Sequence, residues 1–217
     1  MILNSKWLNG WNLFLLIAVP ISVAVVVKMS ALDMSSARDI SSMIQFSVRC
    51  SVPWLYLAFA ASSIFAVFPG QFGRWLLRNR RYVGLCFAAG MAWQLTFILL
   101  MVSGHWTYYT EEVYSFEDIV VQVPGYLLLG AMTVTSFRPG RQLLSGRQWR
   151  ILHKSSIYFL WGTVWSTYWY ELYYYGDIQL IDYMFYWAGI VAWGFRLWAW
   201  SSERWQLASI EERATTG

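Results

Sequence analysis

Six apolar runs divide this chain, at Trp11–Lys28, Ile44–Phe68, Tyr82–Ser103, Val120–Phe137, Ser155–Tyr173 and Tyr183–Trp200. Each has the length a helix needs to cross a hydrocarbon core of about 30 Å. Lipid offers no partner to an open backbone N–H or C=O, so a spanning segment must be a helix or a strand of a closed barrel. None of the runs alternates apolar and polar residues as a barrel strand does. The reading is an all-α integral membrane protein, a six-transmembrane-helix bundle forming a single domain over residues 1–217. Pro20 and Pro53 fall inside the first two runs, where a kink is tolerated.

Charge placement tests that division. With both termini cytosolic, every basic residue except Lys28, Arg38 and Arg49 falls on the inner side. Every acidic residue except Glu203, Glu211 and Glu212 falls on the outer side, including Glu112, Glu117, Asp118 and Asp177. The basic bias is the one that orients membrane helices. It also accounts for the net charge of +4, which therefore carries no implication of nucleic-acid binding. The first run follows Lys6 and is not followed by a small-x-small cleavage site after Val27, so it is expected to be retained as an anchor. Cys50 and Cys86 fall in opposite leaflets, too far apart for a disulfide.

Soluble-enzyme chemistry has no motif to reside in. The sequence holds no zinc-ligand spacing, phosphate-binding glycine loop or nucleophile elbow, and so no catalytic residue is nominated. Embedded ionisable residues are few, and no halves repeat, which points away from a transporter. Arg49 and Glu171 both lie toward the outer end and are expected to pair.

Within that frame, several stretches carry a resemblance. RRYVGLCFAAGMAWQLTF (Arg80–Phe97) places paired basic residues and a Gly-Leu step at the start of the third helix. TVTS (Thr133–Ser136) closes the fourth before a basic loop, and GRQWRILHKSSIYFL (Gly146–Leu160) opens the fifth. DISSMIQFSVRCSVPWLYL (Asp39–Leu57) leads into the second. Together these resemble the ferric reductase-like transmembrane domain, most closely its bacterial YedZ/MsrQ type, over essentially the whole chain. The resemblance implies a bacterial inner-membrane subunit that holds b-type heme and serves a periplasmic oxidoreductase. It also implies axial histidines on the third and fifth helices, in an inner and an outer layer.

Ligands recurring thirteen or fourteen residues along a helix sit roughly 20 Å apart on one face, which is how two layers arise. His153 matches the inner histidine of the fifth helix, and thirteen residues later stands Ser166. On the third helix the matching outer position is Gln94, and fourteen residues before it is Arg80. The outer layer thus pairs Gln94 with Ser166, degenerate ligand positions that offer no imidazole nitrogen. The inner layer pairs Arg80 with His153, beside Arg147, Arg150 and Lys154, whose charges suit heme propionates. His105 lies just past the outer end of the third helix and is expected to be a solvated loop residue.

Two functions stay open. One is a heme-free accessory or interaction subunit of a larger membrane complex, with no cofactor and with lipid and other membrane or periplasmic subunits as partners. The other is an electron-transfer subunit with a single inner heme b held by His153, the iron being the only metal; if an enzyme, it is then the membrane subunit of a heme-dependent oxidoreductase. Fifteen Trp and fourteen Tyr gather near helix ends, among them Trp106, Tyr108, Tyr114 and Tyr175. Trp161, Trp165, Trp187, Trp193 and Trp198 instead spread along the spans, where they are expected to fill space or contact lipid.

Overall fold

The computed structural model describes residues 2–113, 116–174 and 178–216, with side chains over 3–111, 120–174 and 178–202. Tyr114, Tyr175 and Asp177 lie outside the described residues, as do the side chains of Glu112, Glu117, Asp118, Arg204 and Arg213. Long helices dominate, and the described residues contain no strand. They are α1 (Gly10–Ser30), α2 (Ala37–Val67), α3 (Gln71–Gly104), α4 (Phe116–Thr135), α5 (Gly146–Tyr173) and α6 (Leu180–Thr216). The first three are long and apolar enough to cross a membrane, and Val120–Thr135 is a shorter apolar helix. In α5 and α6 much of the apolar surface comes from Trp and Tyr, whose polar atoms lower a helix's hydropathy.

Local signals fix several helix ends. The α1 N-terminus is capped from a distance: buried Asn79 on α3 accepts the Gly10 N–H at 2.9 Å and donates to Asn9 Oδ1 at 2.9 Å. Gly10 has φ +66°, a conformation that costs a glycine little. Trp75 on α3 donates to the Leu8 carbonyl at 2.7 Å, tying the same end down. A capping box opens α5, where Ser145 and Gln148 each satisfy the other's backbone N–H.

The most extensive packing joins α2 to α3, and small residues make it close. A Cβ on Gly90 would collide with Ser51 Oγ, so the two helices meet at that point without room for a methyl group. Ser51 turns its own hydroxyl onto the Ser47 carbonyl at 2.6 Å, leaving no stray polar atom at the crossing. One core cluster joins Val52, Leu55, Phe59 and Phe87 to Leu129, Ile157, Leu160 and Phe185 of the later helices. A second, around Met43, Phe97 and Met101, lies toward the other end of α2 and α3.

The aromatic residues along the spans divide into two groups. Phe59, Trp161, Trp165 and Tyr186 form a stack across α2, α5 and α6, with centroid separations of 5.3, 5.9 and 5.6 Å. Trp193 stacks on Trp161 at 6.1 Å. Trp187 and Trp198 are exposed, as lipid-facing residues would be. Cys50 and Cys86 are both free thiols.

The pairing expected between Arg49 and Glu171 is not what forms. Arg49 instead donates to Asp182 at 3.1 Å and to Gln179 at 2.8 Å, both at the start of α6. Asp182 also accepts the Gln179 N–H at 3.0 Å, so one carboxylate closes the helix end and neutralises the guanidinium. A carboxylate with two such partners outcompetes one on a neighbouring helix.

Candidate functional site

A cavity of about 610 Å³ opens near the basic end of the bundle, among α2, α3, α4, α5 and α6. Its floor is apolar, with Leu55, Phe87, Leu129, Ile157 and Leu160. Its rim carries His153 and the cations Arg80, Arg81, Arg141, Arg150, Lys154 and Arg196. Among the described residues no carboxylate lines it. The expected inner pair, Arg80 and His153, is thus brought to one chamber with Arg150 and Lys154. Arg147 is exposed and is not part of the lining.

Each wall residue is held by a specific contact. His153 stacks on Trp149 with 4.3 Å between ring centroids, and Trp149 donates to the Thr135 carbonyl at 3.2 Å. His153 Nε2 lies 3.0 Å from Thr135 Oγ1. That hydroxyl also lies 2.7 Å from the Ala131 carbonyl of its own helix. Thr135 thus takes up the Nε2 side of the imidazole, the donor being set by the ring's tautomer. His153 precedes the apolar run of α5; burial and the charges of Arg80 and Arg141 push its pKa down to about 4. It is a neutral imidazole at pH 7.

The two innermost arginines reach neighbouring carbonyls of the same helix. Arg80 Nε donates to Ala58 O at 2.9 Å, and Arg196 Nε donates to Phe59 O at 3.0 Å. Arg196 also lies over the rings of Phe59 and Tyr158, at 4.1 and 4.6 Å. Among the described residues the ion pair is Arg49–Asp182, on another part of the molecule, so neither cavity arginine meets a carboxylate. Arg141 stacks over Trp149 at 5.0 Å and donates to Leu144 O at 3.0 Å.

The outer positions are occupied differently. Gln94 is buried, and its Oε1 accepts the Tyr126 hydroxyl from α4 at 2.6 Å. Ser166 donates to the Thr163 carbonyl of its own helix at 2.9 Å. The Gln94 carbonyl oxygen and the Ser166 hydroxyl each meet a protein atom. His105 sits at the C-terminal cap of α3, where its N–H bonds the Met101 carbonyl at 2.7 Å.

A heme held between α3 and α5 needs nitrogen lone pairs aimed at iron from both sides, and of the four positions only His153 carries an imidazole. Its Nε2 is engaged by Thr135, and Arg80 keeps its proton in proteins. Gln94 and Ser166 have no imidazole to give. The chamber itself suits a ligand with an apolar body and an anionic head. Among the cavity residues that sequence reasoning missed are Arg196, Arg141 and Thr135. Arg196 had a signal, a lone cation inside the aromatic stretch VAWGFRLWAW, where an embedded charge marks a site. Thr135 lies in the TVTS stretch, but nothing in the sequence paired it with His153.

Comparison with protein-family models, with curated proteins and with solved structures returned no match.

Proposed function

We propose that this chain is a six-span membrane protein of ferric reductase-like architecture, with both termini cytosolic, that works as a heme-free accessory subunit of a larger inner-membrane complex. The observation that carries the reading is the state of the ligand positions. Gln94 and Ser166 are engaged by Tyr126 and Thr163, and His153 spends Nε2 on Thr135. A two-heme wire with neither layer equipped passes no electrons across a membrane. Long helices, the positive-inside sorting and the basic rim of the cavity support the architecture without requiring the cofactor.

The second reading keeps one inner heme at His153. It is favoured by the 610 Å³ chamber with cations beside that histidine. It requires His153 Nε2 to release Thr135 before it meets iron. Acid extraction of heme from the purified protein, expressed with ample heme precursor, separates the two. The accessory reading predicts far less than one heme per chain; a stoichiometry near one overturns it.

A further inference from the structure

Among the described residues, the cavity rim concentrates positive charge that no carboxylate neutralises. Arg80, Arg141 and Arg196 are half-buried, and each has Nη or Nε hydrogens beyond the carbonyl bonds already described. A guanidinium has five N–H donors, and one carbonyl leaves most of them unmet. Removing such groups from water is costly unless an anion compensates. Lys154 and Arg150 add exposed charge at the mouth. A small inorganic anion would satisfy these donors but would leave the apolar floor of Leu129, Ile157 and Leu160 unfilled. The volume lies within the roughly 300–1,000 Å³ of ordinary small-molecule sites, well beyond what one phosphate occupies.

Resting on the heme-free reading, we propose that the cavity binds an anionic phospholipid, its phosphate among Arg80, Arg196 and Arg150 and the start of its acyl chains on the leucine and isoleucine floor. Guanidinium forks match phosphate oxygens two at a time, which makes arginine the suitable residue for that headgroup. The basic end of a positive-inside bundle also faces the leaflet where acidic lipids supply the negative surface. Binding ties α2, α3, α4, α5 and α6 together at one end, which gives an accessory subunit a lipid-dependent shape.

The test uses the full chain in neutral detergent, with thermal unfolding and native mass spectrometry as readouts and an absorption spectrum of every preparation. Dioleoyl phosphatidylglycerol should raise Tm saturably and remain bound in the mass spectrum, because a ligand selective for the folded state stabilises it. Dioleoyl phosphatidylcholine and inorganic phosphate at equal concentration should do neither. Arg150→Gln, at the exposed mouth, and Arg196→Gln should each weaken phosphatidylglycerol binding about tenfold. Arg147→Gln, outside the cavity, should leave it unchanged. Equal stabilisation by phosphatidylcholine, or by phosphate alone, overturns the proposal, as does an unaltered affinity in Arg150→Gln. A Soret band in the same preparations would instead show that the heme-free reading had failed, whatever the lipid result.

Discussion

His153 Nε2 and Thr135 Oγ1 stand 3.0 Å apart, a bond that joins the start of α5 to the end of α4 and decides what the imidazole can do. Replacing Thr135 by Val keeps the shape and removes the hydroxyl. His153 Nε2 is then left partly buried without that hydrogen bond, at a cost of about 1–3 kcal/mol. Chemical denaturation in mixed micelles should register that loss in Thr135→Val and much less of it in Thr135→Ser.

The same histidine predicts a dependence on pH. Its folded-state pKa lies near 4, below the ordinary 6.5, so the unfolded chain takes up its proton first. The sign follows: the neutral imidazole's contribution is fully present above pH 6.5 and is lost as pH falls toward 4. Tm of the wild type should decline across that window. His153→Gln, which cannot titrate, should decline less.

Gly90 makes a third prediction. A methyl group there meets Ser51 at the closest point of α2 and α3, so Gly90→Ala should destabilise by about 1–3 kcal/mol. Ser51→Ala on top of it should recover part of the loss, because the colliding hydroxyl is gone. Simple additivity of the two changes would contradict the packing described.

A fourth concerns the ion pair. Asp182 is 1% exposed while Arg49 is 24% exposed. Asp182→Asn should therefore cost less than the roughly 3–5 kcal/mol of breaking a fully buried pair, since Arg49 still reaches solvent. Glu171→Gln should cost less than Asp182→Asn; the reverse order in unfolding experiments would restore the pairing first expected from the sequence.

Helix positions were legible because apolar length and charge polarity are one-dimensional properties. The run Trp11–Lys28 became α1 at Gly10–Ser30, and Tyr82–Ser103 lies inside α3. Rotation about a helix axis is not one-dimensional, and there the reading stopped. Arg49 had two carboxylates at similar depth, and only the seating of α6 against α2 chose Asp182. Gln94 accepts the Tyr126 hydroxyl from α4, a partner the sequence did not nominate. Arg141 and Arg196 were each explained by the positive-inside rule, which hid their convergence on one cavity. Arg80 and His153 both line the cavity, each about two turns into its helix.

The central claim is that no heme iron is held at His153, and a reduced-minus-oxidised absorption spectrum of the purified protein tests it most directly. The account predicts no Soret shift and no sharp b-type bands, with wild type and His153→Ala indistinguishable. Sharp b-type bands in the wild type that vanish in His153→Ala would contradict it.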